Sequence, residues 1–322
     1  MKMFVTGAAG FIGSNYVRWL MANTDHEVTV FDALTYAGNR ENLSEFEGNG
    51  RYAFVHGDIT DRDAVAAAMP GHTRVVHFAA ESHVDRSIMG PDAFINTNVS
   101  GTNIVCDIAR MNDVERFLHI STDEVYGSID EGSFVEGDPL EPRSPYSASK
   151  ASSDLVALAY HETYGLPVVI TRSANQFGPY QFPEKVIPLF VTNLLDGLTV
   201  PLYGDGMNIR DWTHVLDNCA GVQKVLDDGE IGEIYNIGAG NELTNKELTY
   251  AILDRCGADA SMIEMVEDRL GHDRRYSIDT SKIRALGWAP ERSFEDALDE
   301  TVAWYTANRA WWEPLKERVK NR

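Results

Sequence analysis

"TGAAGFIGSN", residues 6–15, joins a short apolar strand to a helix and places glycines at Gly7, Gly10 and Gly13. Each glycine has its own reason to be there. A strand-to-helix turn this tight needs a residue without Cβ, an anion comes close to the backbone only where no side chain intervenes, and the helix must pack against the sheet. The helix N-terminus then directs its amides at the anion. A glycine triplet alone is weak evidence, because any tight βα turn can use one. The next strand sharpens the reading. "EVTVFDA" ends at Asp32, about 20 residues past the glycines, where an acid can bond both hydroxyls of an adenosine ribose and repels a 2'-phosphate. The expected cofactor is therefore NAD rather than NADP. At the end of a third strand, "HGDIT" sets Asp58 and Ile59 near where an adenine would lie.

Outward from this turn, short β-branched runs alternate with helical patterns. "MFVTGA", "EVTVFDA", "YAFVHGD", "RVVHFAAE", "RFLHIST" and "PVVITRS" read as strands. Such alternation predicts a parallel sheet covered by helices on both faces. After Ser173 the regularity breaks into a loop-rich segment, "ANQFGPYQFPEKVIP", and scattered short strands such as "TVPLYG" and "EIYNIG". The expected fold is α/β, a Rossmann-type doubly wound parallel sheet over residues 1–173. A smaller, interleaved C-terminal substrate lobe spans 174–322 and returns strands or helices to the sheet from about 211–240.

Two further stretches carry chemistry. In "SPYSASKASSD", Tyr146 and Lys150 are four residues apart, which on a helix puts both side chains on one face. A phenol is a poor base at neutral pH, but a nearby ammonium and a nicotinamide cation both favour its anion. In "FLHISTDEVYG", a buried strand ends in Thr122 followed by two adjacent acids, Asp123 and Glu124. Neighbouring carboxyls repel, so their pKa values can be driven apart into an acid and a base.

Composition excludes several classes of function. With 28 basic and 49 acidic residues among 322, the formal charge is −21. That balance repels nucleic acid and anionic membranes alike. No apolar run approaches the ~20 residues of a membrane span, and the N-terminus enters a strand directly, so a cytoplasmic location is expected. Cys106, Cys219 and Cys256 are too few and too widely spaced for a disulfide framework or a zinc site, and no metal is expected.

Taken with "FDALTYAGN", "GDITD", "HFAAESHVDRS", "NQFGPYQFPEKVIP", "IRDWTHV" and "GHDRRYSID", these motifs resemble the extended short-chain dehydrogenase/reductase family over nearly the whole chain. Within it, the likeness is to the branch that dehydrates nucleotide sugars. The resemblance implies that Thr122, Tyr146 and Lys150 bind and oxidise the sugar, with Asp123 as acid and Glu124 as base in a dehydration. It implies NAD contacts at Gly7, Gly10, Phe11, Ile12, Gly13, Asp32, Leu34, Thr35, Asp58, Ile59, Ala79, Ala80, Ser82, Thr97, Tyr146, Lys150 and Gln176. For the nucleotide sugar it points to Ser82, Thr122, Asn175, Lys185, Val186, Pro201, Tyr203, Arg210, Asn245, Arg269 and His272. The family more often carries asparagine at position 176 and proline at 270, and Leu216 and Asn218 also depart from its usual pattern.

The reaction implied is dehydration of dTDP-glucose to a 4-keto-6-deoxy sugar, a step of deoxysugar biosynthesis, by a homodimer. Oxidising C4 makes the C5 proton acidic, and a base and an acid then remove water across C5 and C6. A sugar 4-epimerase shares the oxidation but has no use for the acid and base. A nucleotide-sugar decarboxylase should place a cation that "STDEVYG" lacks, and an NAD-holding sensor would need none of these groups. Other nucleobases on the sugar remain alternatives.

Overall fold

The computed structural model describes residues 1–268 and 271–320, with the side chains of 319 and 320 left aside. Seven strands form one wholly parallel sheet: β1 (Lys2–Thr6), β2 (Glu27–Asp32), β3 (Tyr52–His56), β4 (Arg74–His77), β5 (Arg116–Thr122), β6 (Val168–Ser173) and, after an excursion, Ile234–Ile237. From one edge the order is β3-β2-β1-β4-β5-β6 and then Ile234–Ile237. The order reverses between β1 and β4, the topological switch point at which open α/β sheets bind ligands. β5 and β6 carry almost unbroken buried runs, as strands covered on both faces must.

Two apolar layers sandwich the sheet. On one face Tyr16, Val17 and Leu20 of the Phe11–Asn23 helix meet Cys219, Val222 and Val225 of the Val215–Asp228 helix over Met3, Val5 and Val76. On the other, Val105, Cys106 and Ile108 of the Thr102–Met111 helix and Ala157 of the Pro145–Tyr164 helix pack on Phe4, Val75 and Phe117. A third core, around Phe177, Phe190, Trp212, Leu298, Tyr305 and Trp312, belongs to the remaining C-terminal segments. Two small sheets accompany it: Asn175–Phe177 and Glu242–Thr244 flank Ile209–His214, and Val200–Tyr203 pairs with Ile263–Val266. The Val215–Asp228 helix and the Ile234–Ile237 strand thus come back to the main sheet from within the C-terminal half. Among the described residues no helix is long and apolar enough to cross a membrane.

Candidate active site

The glycine turn is built against the end of β4. Gly7 has left-handed backbone at φ +68°, and a Cβ there would lie 2.5 Å from the Ala79 Cα. At Gly13 a Cβ would fall 2.6 Å from the Ala8 Cα, so the helix can pack this closely only without one. Gly10 precedes the helix and offers its amides no side-chain cap, which leaves the first turn available to an anion. Asp32 closes β2. Its Oδ2 accepts from the Ala9 amide at 2.8 Å and its Oδ1 from the Leu34 amide at 2.7 Å. Leu34 contributes that amide, at φ 50°, and is not part of the cleft wall. Thr35, Asp58, Ile59, Ala79, Ala80 and Thr97 continue the wall from the turn.

The same cleft runs on to the carboxyl ends of β5 and β6, where Ser82, Thr122, Asp123, Glu124, Tyr146, Lys150, Asn175, Gln176 and Lys185 line it. Register holds β5 between β4 and β6, with Thr122 opposite Ser173. A single 3-10 turn, Asp123–Val125, starts directly after Thr122, whose hydroxyl accepts from the Glu124 amide at 3.3 Å and donates to Asp123 Oδ1 at 3.3 Å. That turn aims the two acids from one point. Tyr146 and Lys150 come from the first two turns of the Pro145–Tyr164 helix, started by a Ser144–Ser147 capping box with Pro145 behind the cap.

Electrostatics separates these groups. Burial, then the Glu124 carboxylate, pushes the Asp123 carboxyl up to about 8, against an opposing Arg210. Asp123 is therefore mostly protonated at neutral pH. Burial and Glu124 also push the Tyr146 phenol well above its ordinary value, although the Thr122 hydroxyl favours the anion. The sequence expectation sets against this the Lys150 ammonium together with a nicotinamide cation, and Lys150 is not among the groups that move the phenol here. Lys150 is itself pushed down to about 8 by burial, and its Nζ donates to the Ile120 carbonyl at 2.7 Å.

Buried acceptors point to a ligand. Asp123 Oδ2, Asn175 Oδ1 and Gln176 Oε1 are shielded from solvent and accept no hydrogen bond within the protein, although such atoms are normally satisfied. With the bare glycine turn and the Asp32 carboxylate, they suit a dinucleotide lying from β2 to β5 with its reactive end beside Tyr146. Among the described residues no group of three or more His, Cys, Asp or Glu is arranged to hold a metal ion.

The other residues expected to meet the sugar nucleotide are not part of this cleft's lining, although the Arg210 charge acts on Asp123. Val186 starts the Val186–Leu195 helix, Pro201 and Tyr203 lie on the Val200–Tyr203 strand, and Tyr203 meets the His272 ring edge-on at 6.5 Å. The guanidinium of Arg210 stacks 4.0 Å over Tyr276 and donates to the Asp273 carbonyl. Asn208 donates to that carbonyl as well and accepts from the Asn245 amide through its own carbonyl, which links Asn245 to the group. Arg269, like Leu270, lies outside the described residues. Sequence reasoning missed Tyr36, Glu81, Phe182 and Glu184, all of which line the cleft. Arg86 lies 4.0 Å over the Tyr36 ring and donates to Glu184 at 3.1 Å, so the loop after β2 and the Val84–Met89 helix after β4 are tied to the Glu184 loop. Neither "HVDRS" nor "PEK" carries a local signal of this pairing.

Residues 4–301 match the family described as GDP-mannose 4,6 dehydratase. A dTDP-glucose 4,6-dehydratase of Actinoplanes sp. is 56% identical over 319 residues, 97% of this chain and 100% of that one. The chain belongs to the dTDP-glucose 4,6-dehydratase family. A second family member, from Streptomyces niveus, is 54% identical over 98% of this chain and 96% of its own. Among solved structures, the dTDP-glucose 4,6-dehydratase DesIV of Streptomyces venezuelae, crystallised with NAD and dTDP, superposes with a TM-score of 0.96. It is 58% identical and covers 98% of this chain and 100% of its own.

Proposed function

We propose that this chain is an NAD-dependent dTDP-glucose 4,6-dehydratase, a hydro-lyase yielding dTDP-4-keto-6-deoxyglucose. The observation that carries the reading is the Asp123 carboxyl, buried beside Glu124 at the end of β5 in the cleft that also contains Tyr146 and Lys150. An epimerase or a simple dehydrogenase has no work for that acid. NAD, when bound, supplies the hydride acceptor for C4 and the donor for C6, so the net reaction consumes no oxidant.

The chain's own residues do the rest. Tyr146, whose anion the Thr122 hydroxyl favours and the Lys150 ammonium and a bound nicotinamide cation would favour further against burial, takes the proton of the C4 hydroxyl. Glu124 removes the C5 proton, which the C4 ketone has made acidic, while Asp123 protonates the departing C6 hydroxyl. Proton transfer to and from positioned groups of this kind contributes roughly 10²–10⁴-fold each. Asn175 and Lys185, both in the cleft wall, bind the sugar, and Arg210, Asn245 and His272 hold the nucleotide end. Incubation of the purified chain with dTDP-glucose carrying deuterium at C4 should give product with the deuterium at C6 and solvent hydrogen at C5. Label left at C4, or lost to the medium, would end this reading.

A homodimer and a cytoplasmic location belong to the same proposal. Leu155 and Tyr164 on the Pro145–Tyr164 helix, with Met89 and Ile95 on the Val84–Met89 and Ile95–Gly101 helices that pack against it, expose large apolar side chains suited to a symmetric helical contact. The three cysteines are all unpaired, which fits a reducing compartment. Light scattering at micromolar concentration distinguishes dimer from monomer.

A further inference from the structure

In the sheet β1 lies between β2 and β4, so a contact between the segments that follow β2 and β4 reaches across the carboxyl end of β1, where the glycine turn begins. Arg86 makes such a contact. It stands on the Val84–Met89 helix after β4, and its guanidinium lies 4.0 Å over the ring of Tyr36, in the loop after β2. The same guanidinium donates from Nη2 to Glu184 Oε2 at 3.1 Å, and the Glu184 side chain is only 6% exposed. His83 Nε2 lies 3.9 Å from that oxygen.

Glu184 belongs to the loop of residues 178–185, which is anchored on both sides of the turn. At one end the Asn15 side-chain amide donates to the Pro179 carbonyl at 2.9 Å and Arg18 lies 3.6 Å over the Tyr180 ring, both from the Phe11–Asn23 helix. At the other, Phe182 meets the Tyr36 ring edge-on at 5.9 Å and Lys185 donates to the Ser82 carbonyl at 3.1 Å. Tyr36, Phe182 and Glu184 line the cleft itself. One guanidinium therefore joins three segments over the track that a dinucleotide takes from β2 to β5. The Arg86–Glu184 bond is charge-assisted and largely removed from water on the Glu184 side, unlike an exposed surface pair. No step of the dehydration uses Arg86, Tyr36 or Glu184.

We propose that Arg86, by holding Tyr36 and Glu184 together, is a positioning residue: the clasp of a strap that closes over the dinucleotide and sets how fast NAD enters and leaves. The inference rests on the reading above, in which NADH formed at C4 stays in place until its hydride returns to C6. A strap has a kinetic signature. Its contacts lie within the protein and resist opening in the free and the loaded chain alike, so weakening them speeds entry and exit by the same factor and leaves the equilibrium nearly where it was. A group that grips NAD directly changes exit and affinity together.

Arg86→Gln removes the charge and the stacked cation. Release of carbon-14 NAD from the holoenzyme into excess unlabelled NAD should become about tenfold faster or more, the scale of one charge-assisted bond with one cation–π contact. The dissociation constant, from equilibrium dialysis with the same label, should change by less than about threefold, so the association rate rises with release. Glu184→Gln should behave alike, and the double variant should release NAD no more than about twofold faster than either single one, because the same strap is already open. Release within about twofold of the unmutated chain would overturn the proposal, and so would faster release matched by an equal loss of affinity. Should Arg86→Gln not fold, Glu184→Gln decides by the same two measurements. Failure of the underlying reading looks different: the unmutated chain would bind NAD without dehydrating dTDP-glucose, while the release rates still report on the strap.

Discussion

Replacing Asp123 by asparagine separates the acid from everything else that residue does. With a pKa of about 8, its carboxyl is ~90% protonated at pH 7, against about one molecule in a thousand for an ordinary aspartate. Asparagine reproduces the size and neutrality of that protonated acid, so the groups around it, Glu124, Thr122 and Arg210, experience almost no change in charge. What disappears is the proton for the leaving hydroxyl. The expected loss in kcat is therefore that of one general acid, roughly 10²–10⁴-fold, with KM for dTDP-glucose changed by less than about threefold. Oxidation at C4 precedes the blocked step, so rapid quench at pH 7 with mass spectrometry of the nucleotide sugars should show a 4-ketoglucose species building up. A kcat within about fivefold of the unmutated chain, or a large fall without that ketone, would refute the assignment.

The same substitution has a stability signature. The folded chain keeps the Asp123 proton to a pH at which the unfolded chain has lost it, so this group costs stability as pH rises from about 4 towards 8. Asp123→Asn should therefore melt higher than the unmutated chain at pH 9 and about equally at pH 4, as calorimetry would report; a lower melting point at pH 9 would contradict the buried, protonated carboxyl. If Asp32 meets the ribose as proposed, NADP should bind about 10²-fold or more weaker than NAD by titration calorimetry, and equal affinities would remove that role. Gly7→Ala sets a Cβ 2.5 Å from the Ala79 Cα at positive φ and should lower stability by about 1–3 kcal/mol and abolish NAD binding; unaltered binding would mean the turn can shift. Tyr146→Phe should cut kcat by about 10³-fold while NAD affinity stays put, and near-normal turnover would place the base elsewhere.

Much of this molecule could be read from its residues because the informative signals are local. The glycine turn, the acid at the end of β2 and the four-residue spacing of Tyr146 and Lys150 each depend on a few consecutive positions, and the structure brings all of them to one cleft. What escaped is built across the chain. Arg86 and Glu184 are 98 positions apart, and nothing in either neighbourhood specifies the other. The protonation of Tyr146 and Lys150 escaped for a related reason. Spacing shows that two side chains share a face, but not how deeply the second lobe and the sheet bury them, and burial dominates both.

The strand at Ile234–Ile237 has a consequence for how such an enzyme can change. It completes the sheet beside β6, pairing Ile234 with Ile170 through Ile237 with Ser173, after the chain has already laid down the Ile209–His214 strand of the smaller sheets. The polypeptide is stitched between the two halves and not laid end to end, so neither half can be excised. A fragment ending at residue 173 would leave the backbone of β6 as a bare edge, a template for pairing with other chains. Wholesale exchange of one substrate-binding half for another is thereby closed off as a route to new specificity. Variation has to proceed side chain by side chain, on a scaffold whose two halves are inherited together.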